Sequence, residues 1–360
     1  MRTMTFFDQD SQSALEARGH AQWIAFGPGV FQAARVLCNT GLLALMEDAG
    51  REGLTLEAAI AGSGLPAYSA RLLLEAGLGM GLVTLQEGRY ATTKAAWFLL
   101  HDPMTRANMA FMHEVNYRGY HELEAALRTQ EPRGLASLGP WPTIYEGLSA
   151  LPPATRDAWL AFDHYYSDLA FPAAWPFVKA RRVRSLLDVG GNTGKFARHC
   201  VTNDEQVEVT IVDLPGQLTL ARQALAGLPP AAAARVQFHG ANLLDPAVGL
   251  PAGRDVIWMS QFLACFSEDE IVSIFERCAA ALAPGGRVLV LEPFWDRQKQ
   301  QAAEFCLQQT SLYFAAIANG RGRIYTSDVM IGLARRAGLE VIGEVDGIAS
   351  THTLLTCARR

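Results

Sequence analysis

The sequence predicts an α/β protein: a doubly wound, seven-stranded sheet in its C-terminal half, preceded by an all-helical, winged-helix domain. Three observations carry this. From residue 185 onward, apolar strand-like segments alternate with helical ones, the pattern of a parallel sheet with crossover helices. The stretch Ser185-Leu186-Leu187-Asp188-Val189-Gly190-Gly191-Asn192-Thr193-Gly194-Lys195-Phe196 reads as a strand that carries an acid, turns on glycines and opens a helix. Residues 20 to about 100 read as short helices followed by one small hairpin.

In the N-terminal part, Leu42, Leu43, Leu45 and Met46 follow Gly41 at helical spacing, and Thr55 to Ala61 forms a second helix ending at Gly62-Ser63-Gly64. Pro66 suits a helix start, with Leu72, Leu73, Ala76 and Leu78 as the apolar face. Leu82–Leu85, a Glu87-Gly88 turn and Arg89–Thr92 then form the hairpin. Three helices and a hairpin make a winged helix, but the charges argue against nucleic acid. Between Gly41 and Leu100 four basic residues (Arg51, Arg71, Arg89, Lys94) face six acids (Glu47, Asp48, Glu52, Glu57, Glu75, Glu87). A recognition helix needs positive charge toward phosphate, and the helix at Pro66 offers only Arg71, cancelled by Glu75. A subunit interface is the expected use of this domain.

From His101 to about Lys179 the pattern is helical, with many aromatics and breaks at Pro132, Pro140, Pro142 and Pro152-Pro153. The third segment is expected from about Arg181, with strands at 185–189, 208–213, 236–240, 255–259, 287–292, 339–344 and 353–358. Helices fall at 194–202, 217–227, 268–283, 300–315 and 327–337, and Pro229-Pro230 with the alanines after it reads as a surface loop. No helix separates the last two strands, so an antiparallel hairpin is expected there. The boundaries are thus 1–100, 101–180 and 181–360.

The cofactor follows from the turn. The dinucleotide fingerprint needs glycines at offsets zero, two and five, whereas Gly190, Gly191 and Gly194 fall at zero, one and four. A phosphate loop needs Ser or Thr after Gly194-Lys195, where this chain has Phe196. Asp188, just before the turn, suits a cationic ligand, and Asp213, ending the second strand, can accept both hydroxyls of a ribose. S-adenosylmethionine carries a sulfonium, an ammonium and a ribose but no phosphate, and is the expected cofactor.

Composition sets the remaining bounds. The 360 residues suffice for more than one domain, and half of them are hydrophobic, as in ordinary globular proteins. The 31 basic and 36 acidic residues give a net charge of −5, which implies no general affinity for nucleic acid or anionic membrane. Acids at Asp8 and Asp10 argue against a signal peptide, and no apolar run approaches the ~18 residues of a membrane helix. The six cysteines lack metal-ligand spacing, so no metal is expected and a cytoplasmic location is.

With these residues in view, the chain resembles the S-adenosylmethionine-dependent O-methyltransferases of plant phenols and bacterial aromatic metabolites. The likeness runs through the winged N-terminal domain, the Asp188–Gly191 turn, Asp213-Leu214-Pro215 and Ala283-Pro284-Gly285-Gly286-Arg287. It implies a homodimer, a small aromatic substrate (free or carrier-bound) and cofactor contacts from Asp188, Gly190, Gly191, Asp213 and Leu214. It also places Asn242 and Leu243 where the family's Asp-Met pair brackets the adenine, and Ser260 and Gln261 where the family has Lys-Trp. The departure is the base. The family's Leu-His-Asp-Trp becomes Leu263-Ala264-Cys265-Phe266, so Ala264 stands in the histidine's place. The acid expected near the chain end is Ile324.

Three explanations of Ala264 stay open: another group takes the proton or the phenol arrives ionised; the ring carbon is methylated instead of oxygen; or the histidine was removed deliberately. A vacancy there implies room for a larger side chain. Met259 to Glu268 resembles a bacterial subgroup associated with aryl polyene and flexirubin-type pigments, in which an aspartate is usual at Ala264. O-methylation of a pigment-like phenol is the expected activity, with ring C-methylation or an inactive cofactor-binding partner as alternatives.

His113, Tyr117 and His121 share one face if the helix is regular, and His113 and Tyr117 would wall the substrate pocket. Asp163-His164-Tyr165-Tyr166-Ser167-Asp168 offers His164 as a replacement base beside two acids, with Tyr166 toward the substrate. Phe294, Tyr313 and Asn319 are expected to line the same pocket.

Overall fold

A computed structural model describes residue 7, residues 9–180 and residues 182–360; Asp8 and Arg181 lie outside the described residues. The chain forms two compact units, Gln9–Met112 and a larger one holding His113–Arg360.

The smaller unit opens on a long helix, Ala14–Asn39. Its start is fixed by Ser13, whose hydroxyl accepts from Glu16 N while Glu16 returns a bond to Ser13 N at 2.9 Å. Gly41 then takes a left-handed φ of 77° and lets the chain re-enter helix at Leu42–Asp48. Helices Leu56–Ser63 and Ala67–Gly79 follow. Strands β1 (Leu54–Thr55), β2 (Val83–Gln86) and β3 (Arg89–Thr92) form a small antiparallel sheet in the order β1-β3-β2. The wing therefore has a third strand beyond the expected hairpin. Glu87 and Gly88 both have positive φ, which matches the twist of a two-residue hairpin turn. Leu37, Leu42, Leu43, Met46, Ala59 and Leu74 are fully buried at the centre. The unit continues past residue 100 through helices Lys94–His101 and Pro103–Phe111.

The larger unit is built on a seven-stranded sheet. Its strands are β4 (Ser185–Val189), β5 (Glu208–Asp213), β6 (Val236–Gly240), β7 (Arg254–Ser260), β8 (Leu282–Glu292), β9 (Leu339–Ile348) and β10 (His352–Arg359). The order is β6-β5-β4-β7-β8-β10-β9, parallel except for β10, which runs antiparallel to both neighbours. The last two strands do form the expected antiparallel pair. Alternate residues of each strand enter two separate cores. Leu187, Val189, Ile257 and Met259 pack on one face with Ile271, Ile274 and Phe275; Leu186, Val209, Ile211 and Trp258 pack on the other with Ala174 and Phe196. Burial on both faces explains why these strands are almost continuously apolar. The chain leaves β4 toward β5 and β6 on one side and returns with β7 on the other. That reversal opens a crevice at the carboxyl ends of β4 and β7.

Three local expectations need correction. Pro230–Ala233 is a short helix, because proline is tolerated at its first position. The α-helix Gln301–Tyr313 stops early and continues as a π turn, Phe314–Ala318. His113 lies in a second π turn, Met112–Asn116, and His121 in a 3-10 turn, Gly119–Glu122, so His113, Tyr117 and His121 do not share a regular helical face. Among the described residues no single helix is long and apolar enough to cross a membrane.

The Trp258 ring stacks on Phe196 at 4.3 Å between centroids, joining the sheet to the helix after the glycine turn. Trp258→Ala should lower stability by about 3–5 kcal/mol through transfer and cavity terms. Urea unfolding followed by circular dichroism would measure it.

Candidate functional site

The crevice is organised by two buried acids. Asp188 comes from the end of β4 and is only 2% exposed. One of its oxygens, Oδ2, is buried with no hydrogen-bond partner. Asp213 ends β5, and both of its oxygens are held: Asn192 N donates to Oδ2 at 2.9 Å and Leu214 N to Oδ1 at 2.7 Å. A carboxylate offers about four acceptor sites, so those bonds fix the group and still leave lone pairs free. Burial, and then the charge of Asp213, push the Asp188 pKa up to about 8, against a lowering bond from the Ala197 backbone. Burial also raises Asp213 to about 6, offset by the amides of Asn192 and Leu214.

The glycines answer to contacts rather than to loop flexibility. Gly190 has φ 75° and donates its N–H to Val212 O at 2.8 Å; a Cβ on it would strike the Phe262 ring. A Cβ on Gly191 would come within 2.8 Å of Asp188 Oδ2. A side chain at position 191 would therefore crowd the unpartnered oxygen of Asp188.

At the end of β7, Ser260 Oγ and Gln261 Nε2 are also buried without partners, and Gln261 has a left-handed φ of 50°. Strain and orphaned polar atoms together are the mark of a ligand site. Asn242 is exposed and caps its own turn, accepting from Leu244 N at 3.0 Å. Leu243 turns inward instead and packs in the core, so Leu244 is the exposed apolar residue there. An apolar contact from Leu243 to an adenine face is thus not what the structure presents.

The loop bearing Ala264 is braced on every side. Glu292 Oε1 accepts from Phe262 N and Leu263 N, both at 2.8 Å, and burial lifts its pKa to about 7. Asn319 Nδ2 donates to Cys265 O at 2.6 Å, and its Oδ1 accepts from Arg321 N and Gly322 N. Tyr325 donates to Phe266 O at 2.7 Å. Asn319 is therefore a brace rather than a pocket wall. Phe294, 1% exposed, belongs to the core. Ala264 sits against Glu292, Phe294, Ile324, Tyr325 and Met330, with no water-sized space left between them. The expected room for a larger side chain is not seen: Ile324 and Phe294 line the same narrow recess as Ala264.

Helix Pro153–Val178 lies along the glycine turn. Asn192 Nδ2 donates to Asp163 Oδ2 at 3.0 Å, Thr193 Oγ1 and His164 Nε2 lie 3.4 Å apart, and Lys195 Nζ meets Asp168 Oδ2 at 2.6 Å. The two acids expected to support His164 are engaged by Asn192 and Lys195 instead. Burial, and then the Lys195 ammonium, hold the His164 pKa below its ordinary value, while Asp168 acts the other way. Further along, Trp159 Nε1 donates to Tyr313 Oη at 2.7 Å, and Tyr166 packs edge-on against Phe162 and Tyr165. His113 Nε2 stands 3.9 Å from Glu114. Sequence reasoning missed Phe262, Glu292, Asn192 and Tyr145, whose buried hydroxyl lies beside Cys265, Tyr313 and Asp163. Only the acid closing β8 left a signal in the sequence.

A ligand with vicinal hydroxyls and a cationic group fits this donor-poor, acceptor-rich crevice, since either would supply what Asp188, Asp213 and Ser260 lack. In the ligand-free protein the raised carboxyl groups bind more protons folded than unfolded, so their contribution to stability falls as pH rises. From about pH 6.5 to 8, Asp188 and Glu292 together should cost roughly 2 kcal/mol, and Asp188→Asn should remove more than half of that slope. Thermal melts across this range check it; a flat profile in the parent protein would contradict the assignment.

Comparisons with known proteins agree with this geometry. Residues 167–340 match the O-methyltransferase domain family, and residues 18–90 match the Dimerisation2-like domain. L-tyrosine C(3)-methyltransferase of Streptomyces lavendulae is 26% identical over 88% of this chain and 84% of its own length. Aclacinomycin 10-hydroxylase RdmB of Streptomyces purpurascens is 30% identical over 72% of this chain. Demethylspheroidene O-methyltransferase of Cereibacter sphaeroides is 30% identical over 66% of this chain. The chain spans 64% and 61% of the length of those last two relatives. Among solved structures, the S-adenosylmethionine-dependent methyltransferase SibL in its apo form superposes with a TM-score of 0.70 at 25% identity, covering 94% of this chain and 98% of its own. The chain thus carries an O-methyltransferase domain over residues 167–340, preceded by a Dimerisation2-like domain over residues 18–90.

Proposed function

We propose that this protein transfers a methyl group from S-adenosylmethionine to the hydroxyl of a small aromatic acceptor of pigment-like secondary metabolism. The observation that carries this is the pair Asp188 and Asp213 beside a glycine turn at the switch point of the sheet. When bound, S-adenosylmethionine supplies an electrophilic methyl group on a sulfonium. Asp213 accepts the ribose hydroxyls, Gly190 and Gly191 give the backbone its close approach, and Asp188 balances the positive charge. Ser260, Gln261 and Asn242 complete the polar rim, and Leu214 adds an apolar contact beside Asp213. Tyr313, Trp159 and Phe262 give the acceptor an apolar, water-poor setting, so orientation supplies most of the rate.

The proton is the point at which this chain differs from its family. Ala264 cannot accept it, and the space around it is closed. His164 lies 3.4 Å from Thr193 of the glycine turn, and its lowered pKa favours the neutral form, which can take a proton. An acceptor hydroxyl that arrives ionised needs no base at all. Ring C-methylation is the second reading, favoured by the likeness to L-tyrosine C(3)-methyltransferase.

Incubation with radiolabelled S-adenosylmethionine and a panel of phenols, with products resolved by NMR, tests the reaction and tells oxygen from carbon transfer. Asp213→Ala should weaken cofactor binding by about 2 kcal/mol, the cost of losing charged hydrogen bonds. Unchanged affinity would remove the ribose assignment.

The protein is further proposed to act as a homodimer in the cytoplasm. Trp23, Ile24 and Phe26 stand exposed on the first helix, 49%, 68% and 68% accessible, within the Dimerisation2-like segment. Covering such a face is what a two-fold interface does. The double variant Trp23→Glu with Phe26→Glu should shift a dimeric parent to monomer in light scattering. A parent already monomeric at micromolar concentration would overturn the proposal.

A further inference from the structure

Asn192 is the residue of the glycine turn whose side-chain oxygen has no task so far. Its backbone, at a left-handed φ of 50°, donates to Asp213. Its side chain donates through Nδ2 to Asp163 Oδ2 at 3.0 Å. A carboxylate oxygen accepts and does not donate, so Asp163 decides which way the amide faces. Nitrogen points to the helix and oxygen points away from it. That oxygen, Oδ1, is buried and has no hydrogen-bond partner. A buried acceptor left unmatched is costly, and this one sits on the residue that fixes Asp213. The flanking contacts of Thr193 with His164 and Lys195 with Asp168 hold the helix against the turn, so the orientation is not left to a single bond.

We propose that Asn192 Oδ1 is a cofactor-binding acceptor, aimed by Asp163, that takes a hydrogen bond from a ribose hydroxyl or the ammonium of the adenosyl ligand. This rests on the S-adenosylmethionine reading given above. Asp163 acts as a positioning residue: it touches no ligand and works through the amide it orients.

Calorimetry with S-adenosylhomocysteine tests the idea. Asn192→Gly keeps the left-handed turn and the backbone bond to Asp213 while deleting the amide. It should weaken binding roughly 5–30-fold, the loss of one to two hydrogen bonds' worth of net affinity. Asp163→Ala should weaken it as well, and the double variant should bind no more weakly than Asn192→Gly alone. Asp163→Asn retains an acceptor for Nδ2 and should stay closer to the parent than Asp163→Ala. Methylthioadenosine, which lacks the amino-acid arm, locates the donor: the same penalty from Asn192→Gly assigns a ribose hydroxyl, and no penalty assigns the ammonium. Ligand-free melts of each variant separate lost folding from lost binding. Unchanged affinity in Asn192→Gly, or penalties that multiply in the double variant, would overturn the inference. Equal losses in Asp163→Asn and Asp163→Ala would overturn the positioning role. Failure of the parent protein to bind S-adenosylhomocysteine would instead sink the cofactor reading itself.

Discussion

The burial of two carboxyl groups, Asp188 and Asp213, is the constraint around which the larger unit is arranged. Two acids so placed are unfavourable in a protein interior unless something cationic or hydrogen-bonding meets them. The fold tolerates the cost by taking Asp213 with two backbone amides and by leaving Asp188 protonated near neutral pH. The parallel pairing of β4 with β5 brings both acids to one edge, where Asp188 lies opposite Ile211 and Val189 opposite Val212. The switch between β4 and β7 then opens the crevice in front of them. On the proposed reading, these acids are what a cationic nucleoside satisfies.

Much of this was legible in the sequence because it depends on short-range pattern. The order of strands and helices follows from apolar runs punctuated by glycine and proline, and Asp188 and Asp213 each close a strand. The π turns at Met112–Asn116 and Phe314–Ala318 were not legible, since a wider turn shifts the face of His113 without any composition signal. The same holds for side-chain direction. Asn319 and Phe294 have the residue types of a pocket wall, yet one bonds a backbone carbonyl and the other fills the core. Asn192 and Tyr145 matter through partners distant in the chain, so no local motif announces them. The expected pairing of His164 with Asp163 or Asp168 failed for a related reason: Asn192 and Lys195, brought in by tertiary packing, are stronger partners for those acids.

The closed space at Ala264 changes the meaning of the missing histidine. A simple deletion of an imidazole leaves a hole; here Ile324, Phe294 and Met330 close around the alanine. Ala264 and Ile324, the two departures from the resembled pattern, line the same recess. Reintroducing histidine there would overpack the core rather than restore a base. On the proposed reading, the chemistry rests on positioning, with His164 as the candidate proton acceptor.

The central claim is that a cationic adenosyl ligand satisfies Asp188, and its most direct measure is the proton balance of binding. S-adenosylmethionine titrated at pH 7 into the protein, in two buffers of different ionisation enthalpy, reports protons released or taken up. With Asp188 raised to about 8, the acid is mostly protonated before binding and ionised after it. The account predicts release of close to one proton per site, abolished by Asp188→Asn. Binding with no proton release, or no binding at all, would contradict it.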